Sequence, residues 1–408
     1  MKSLSNLFRY GPGPSSSHTI APYQAACAFR KLLTCPLDKV RVIFYGSLAL
    51  TGEGHHSVFA VQEGLKGYPV EVIKDRLTKP THPLSMTFEA IQGEKVVLSR
   101  SYRSLGGGEL SSDDDPSVIE KDIYPCASLK EIFAYMKSEN LPQIKDFCLK
   151  FEDPSIDDYL MGILKKMFRS VEKGLSLEGP IPANSNPRLQ VTRSAKGIYE
   201  QAVKLKGNKR RFMLLSAYAY SVAESSACGD LVVTSPTCGS SGVLPAILYY
   251  AHKNMKMPLT KVRDALYTAG TIGNLVKQNA SIAGSVGGCQ AEIGTASSMA
   301  AAALCFLFGL SNYKIEYAAE VAMEHFLGLS CDPVDGYVII PCIERNGIAA
   351  IRALACFYYA RYISPIRQNK VNFDDVVAAM KITGDSLAME YKETALGGLA
   401  YILDPKHC

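Results

Sequence analysis

The feature that most limits the fold is the poverty of charge in the second half of the chain. Between Cys228 and Ala360 only 17 of 133 residues are Asp, Glu, Lys or Arg, against 20% for all 408 residues. From about residue 194 onward the pattern is almost wholly helical, and strand-like alternation is hard to find. Helices this poor in charge must bury many of their faces against one another. Within them, Ile293 to Leu310 runs eighteen residues without a charge, the bare length of a membrane span. Gly294, Thr295, Ser297, Ser298, Gly309 and several alanines break its apolar surface, and Gly287-Gly288-Cys289 lies just upstream. A buried helix that lets neighbours approach closely is therefore expected, not a span.

The first 150 residues read as mixed α/β. A Ser-rich loop, Ser15 to Ser17, opens an amphipathic helix with Ala25, Phe29, Leu32 and Leu33 at helical spacing. Val40 to Tyr45 is strand-like. The polar turn Thr51-Gly52-Glu53-Gly54 then leads to a helix beginning near His56. Val70 to Ile73 is another strand, and Ser85 to Ala90 with Lys95 to Ser101 form a hairpin around Gln92-Gly93. Ser104 to Pro116 is expected to be a loop, with Asp113-Asp114-Asp115 as a solvated turn. Glu152-Asp153-Pro154 marks a boundary, a helix follows over Asp158 to Lys173, and Gly179 to Arg188 is a linker. The expected class is α+β: an α/β domain over 1–150, then a mostly α-helical domain over 151–408.

The net charge of +5 is mild and evenly spread, which argues against a nucleic-acid partner. A hydrophobic content of 47% excludes a disordered or collagen-like chain. No apolar run opens the sequence, so a cytoplasmic location is expected.

In a reducing compartment the twelve cysteines are not expected to pair. Cys27, Cys148, Cys305 and Cys356 sit in apolar helical surroundings and read as small buried hydrophobes. Cys238, Cys289, Cys331 and Cys342 instead lie beside Gly, Pro or Asp. No short Cys-x2–4-Cys pair occurs, so a structural zinc site is not indicated. Cys289 and Cys331 are 42 residues apart, and Cys331 and Cys342 are 11 apart. A cluster can be assembled from such distant loops, and Cys289 precedes a helix whose N-terminus favours a thiolate. Inert buried cysteines are the rival reading.

Taken together, these residues resemble the iron–sulfur L-serine dehydratases, or L-serine ammonia-lyases, over nearly the whole chain. The N-terminal part resembles the family's β domain through Gly13-Pro14-Ser15-Ser16-Ser17-His18-Thr19, Gly46-Ser47-Leu48-Ala49 and Thr51-Gly52-Glu53-Gly54-His55. The C-terminal part resembles the α domain. Its matching stretches are Ser235-Pro236-Thr237-Cys238-Gly239, Asn279-Ala280-Ser281-Ile282 and Gly288-Cys289-Gln290. Cys331-Asp332-Pro333-Val334, Pro341-Cys342-Ile343-Glu344-Arg345-Asn346 and Tyr391-Lys392-Glu393-Thr394 follow in the family's order.

The resemblance implies a [4Fe–4S] cluster on Cys289, Cys331 and Cys342, with one iron lacking a permanent protein ligand. It implies that the C-terminal Cys408 folds back to cap that iron, and that relatives pair as homodimers. The expected reaction is conversion of L-serine to pyruvate and ammonia, with hydroxide leaving under Lewis-acid assistance and a positioned base taking the Cα proton. The resemblance places His18 and His55 near the cluster in acid–base or orienting roles. Ser15, Ser16 and Ser17, at a helix N-terminus, suit the substrate carboxylate. Asn279 and Ser281 are expected at the cluster mouth, or as caps of the turn before Cys289. No phosphate-cradling loop accompanies Lys277 or Lys392, so a pyridoxal Schiff base is not expected. Many relatives carry a cysteine where this chain has Ser297, and Asn where it has Cys238, so neither position is expected to be an obligatory ligand. Two alternatives remain open at this level: an L-cysteine desulfidase on the same scaffold, and a non-catalytic amino-acid sensor that binds a cluster.

Overall fold

A computed structural model describes residues 1–34, 36–181, 189, 191–367 and 369–403. Seven strands lie among these residues: β1 (Tyr10–Pro12), β2 (Lys39–Tyr45), β3 (Val70–Asp75), β4 (Ser85–Gln92), β5 (Lys95–Gly106), β6 (Glu109–Ser111) and β7 (Leu231–Val233). Five form one sheet in the order β3-β2-β4-β5-β6. β2 and β3 run parallel and the other neighbours antiparallel. In β2 Val40, Val42 and Phe44 point into the core, while Lys39, Arg41, Ile43 and Tyr45 between and beside them take the more open face. Helices Ala21–Lys31 and Ser57–Gly64 pack against each other in the same domain. Phe29 packs tilted on Phe88, and Phe88 meets Tyr102 edge to face.

Expectation and structure part in small ways here. A short helix, Gly46–Thr51, precedes the polar turn where no helix was anticipated. The Ser104–Pro116 segment is not all loop, since β5 runs to Gly106 and β6 follows. Asp115 is buried, because the buried Tyr102 hydroxyl needs an acceptor and donates to it at 2.8 Å. Asp113 stays exposed.

The second half is helical, as its composition requires. Thr295–Leu307 is buried at every position except Phe306. Helices Leu259–Asn279, Asn312–Glu324, Cys342–Tyr358 and Val243–Lys253 all pack on it, which explains why it carries no charge. No described helix is long and apolar enough to cross a membrane. β7 pairs antiparallel with β1 and ties the N-terminus to this region.

The hydrophobic cores partition the chain differently from a boundary at residue 150. Leu4, Leu7, Phe8, Phe147 and Cys148 belong to the helical core, while Ala283 belongs to the sheet's core. The two halves are thus laced together, and the loops that carry chemistry meet at the seam.

Candidate active site and metal centre

The site is built from helix ends and loops. Cys289 caps a one-turn π-type segment, Gln290–Gly294, that continues directly into Thr295–Leu307. Cys342 is the first residue of the helix Cys342–Tyr358. Cys331 sits on a loop held like a strand against the C-terminal segment: its N–H donates to Tyr391 O and its carbonyl accepts from Glu393 N, both at 2.8 Å. All three cysteines are buried and line one cavity, with Ser15, His55, Glu292 and Glu393. Asn346 fixes the loop after Ser235-Pro236 onto the Cys342 helix. Its amide donates to Gly239 O at 2.8 Å and Cys342 O at 2.9 Å, and its oxygen accepts from Gly242 N at 2.9 Å.

Ser15 begins a helical run formed by Ser16–Ile20 and Ala21–Lys31. Its hydroxyl accepts from His18 N, and Ser15 to Ser17 are all buried. His18 is fully buried behind the cavity wall. Its Nδ1 lies 2.9 Å from Ser17 Oγ and its Nε2 2.9 Å from Ser47 Oγ. Burial drives its pKa down to about 3, so it is a neutral imidazole.

His55 stacks on His18 with ring centroids 4.4 Å apart. Its Nδ1 donates to Thr51 O at 2.9 Å, because a carbonyl can only accept. Its Nε2 faces inward, 3.4 Å from Glu393 Oε1. Neither His55 Nε2 nor Glu393 Oε2 has a well-formed hydrogen bond among the described residues.

Two buried carboxylates share this space and are pushed apart. Burial opposes ionisation of Glu393, but the imidazoles of His18 and His55 outweigh it and hold the group below the usual carboxylate range. Burial, and then the charges of Glu393 and Cys289, drive Glu292 well above that range. Thr237 Oγ1 donates to Glu292 at 2.6 Å. The two carboxylates are thus driven in opposite directions, as in sites that separate an acid from a base.

The thiols behave as a set. A hydrogen bond from Cys331 brings Cys289 down to about 7 against the effect of burial, with the Arg345 guanidinium assisting. The shared hydrogen bond and burial raise Cys331, and burial raises Cys342. Arg345 is held by Ser330 O at 2.9 Å and Asp332 Oδ1 at 3.1 Å. Three buried thiols cannot all ionise unaided; a positively charged metal group supplies the charge that would let them. Ligand atoms of Cys289, Glu292 and Cys331 already lie within 4.8 Å of one another. A Cβ on Gly284 would meet Glu292, Cys331 and Glu393 together, so glycine keeps that wall open. Donor set and surroundings fit a thiolate-bound cluster.

The structure does not bring every expected residue here. Asn279 donates to Ala127 O at 2.7 Å, and Ser281 accepts from Ala283 N at 3.0 Å; neither lines the cavity. Ser281 instead caps the turn before Cys289. Cys408 lies outside the described residues. Lys277 pairs with Glu109 away from the cavity. Cys238 is buried and directs its thiol at Pro12 O. Sequence reasoning assigned no role to Glu393, Glu292, Arg345 or Ser47, although all but Glu292 stand inside the stretches it singled out. A lone glutamate in an apolar helix, as at Glu292, was the available signal.

Comparison with known proteins places the chain among known families. Residues 3–79 match the family model described as serine dehydratase beta chain, and residues 90–400 match serine dehydratase alpha chain. An L-serine dehydratase of Streptomyces coelicolor is 36% identical, with 98% of each chain covered. L-serine dehydratase 1 of Escherichia coli is 34% identical over 98% of this chain and 99% of its own. An L-serine dehydratase of Helicobacter pylori shows 34% identity with the same coverage. With three buried thiols, a histidine pair and two carboxylates gathered where its two halves meet, the chain belongs to the serine dehydratase family, both parts fused in one polypeptide.

Proposed function

We propose that the protein is an L-serine ammonia-lyase, converting L-serine to pyruvate and ammonia, and that Cys289, Cys331 and Cys342 hold a [4Fe–4S] cluster. The observation that carries this reading is a single buried cavity that joins three cysteines to Ser15, His55 and Glu393. When bound, the cluster supplies the Lewis acidity that lets hydroxide depart. Cys408 is the residue we assign as its displaceable cap.

The chain's own groups do the rest. Ser15, at the N-terminus of a helical run, is placed to hold the substrate carboxylate with hydroxyl and backbone donors. His55, its tautomer fixed by Thr51, offers Nε2 to the Cα proton, and Glu393 stabilises the imidazolium that results. His18 does not line the cavity. It acts through others, bracing the His55 ring by stacking and Glu393 from 3.6 Å. Glu292, held protonated, is a proton donor beside the leaving group. Burial of nearly every wall residue keeps bulk water away from the aminoacrylate until it is released to tautomerise and hydrolyse.

Anaerobic purification, with an optical spectrum and a serine assay on the same sample, tests the reading. Brown protein that forms pyruvate from serine supports it. Metal-free protein with full activity overturns the cluster assignment, and sulfide from cysteine without pyruvate from serine overturns the substrate. A cytoplasmic homodimer completes the proposal; sedimentation of the holoenzyme checks the dimer.

A further inference from the structure

The reactive cavity is narrow. Its free space is about 10 Å³, roughly the room of one water. A much larger cleft, about 690 Å³, lies beside it between the loop 76–83 and the segment 385–394. The partition is one residue thick. Lys392 and Thr394 line the cleft, while Glu393 between them lines the cavity. Ser47, also in the cleft wall, donates to Glu393 O at 2.7 Å and contacts His18. Ser285 lines the cleft too; its hydroxyl is buried and has no hydrogen-bond partner among the described residues.

The partition is also strained. Glu393 and Ala395 have φ of +58° and +57°, a left-handed conformation unfavourable for residues with a Cβ. Charge in the cleft is one-sided: Arg76, Lys79 and Lys392 line it against the single carboxylate of Asp385, amid apolar Leu50, Leu77 and Leu387. Arg76 and Lys79 are exposed.

We propose that this cleft is the port through which the amino-acid substrate reaches the cavity. Arg76, Lys79 and Lys392 gather its carboxylate, and the thin partition at 392–394 is where it crosses into the cavity. The inference rests on the lyase reading above. The 392–394 stretch is where the wall between cleft and cavity is thinnest.

The sequence contains no Trp, so Leu77→Trp, at a side chain 94% exposed, places a sole tryptophan in the port. In the holoenzyme its emission should change saturably with L-serine. Phe212→Trp, on the helix Gly207–Ala227 away from the cleft, should not respond. The double variant Arg76→Glu, Lys79→Glu should raise KM for serine ten-fold or more, with kcat within two-fold and the visible spectrum intact. Added salt should raise the wild-type KM and leave the variant's almost unmoved. A double variant with wild-type KM and a silent Leu77→Trp would overturn the port while the wild type still forms pyruvate. A wild type that forms none overturns the lyase reading, and the port with it.

Discussion

At the scale of single residues, position in the cavity separates the two histidines. His55 lines it with Nε2 facing inward, so His55→Gln should lower kcat by about 100- to 10,000-fold with the visible spectrum retained. Steady-state kinetics beside the spectrum decide this; a near-normal kcat would remove His55 from the base role. His18 offers a stability test. Folded His18 stays neutral down to about pH 3, whereas unfolded it protonates near 6.5. Between those values the unfolded state binds the extra proton, so stability falls as pH drops, by about 1.4 kcal/mol per pH unit from this group. Above pH 6.5 it contributes no slope. Denaturant midpoints from pH 7 to 4 should show the fall, and His18→Gln should flatten it. Replacing Cys289, Cys331 or Cys342 by Ala should each abolish the visible absorption; any variant that keeps full colour removes that ligand from the set.

At the scale of elements, the helices pack close because small residues face one another. Gly174, in the helix Ile156–Ser176, meets the backbone of Ser221 in the helix Gly207–Ala227, and a Cβ there would strike the Ser221 carbonyl. Gly174→Ala should therefore destabilise the fold by about 1–3 kcal/mol, the usual cost of overpacking, read as a lower midpoint of chemical unfolding. An unchanged midpoint would mean that the two helices separate freely. Much of this level was legible in the chain. The hairpin at Gln92-Gly93 and the buried helix at Thr295 follow from turn chemistry and charge content. The helix Gly46–Thr51 was not legible, because six residues give too short a window for periodicity. Nor was β6, whose pairing with β5 is a long-range choice.

At the scale of the whole molecule, the site exists only because two halves interlock. Air should inactivate the enzyme, and iron with sulfide under reducing conditions should restore both colour and pyruvate formation; activity stable in air would count against the proposed cluster with its open iron. Removing Cys408 should leave a cluster that bleaches faster in oxygen, and an unchanged rate would count against the cap. By itself the sequence determined the class of fold, the buried charge-poor helices and the chemistry-bearing motifs, because composition, periodicity and turn residues are local properties. Only tertiary structure decided that His55 and not His18 reaches the cavity, that Asn279 and Ser281 stay outside it, and that the acidities of Glu292 and Glu393 are driven in opposite directions. Those outcomes depend on burial and on charges brought together from hundreds of residues apart, and neither is written in any one stretch of chain.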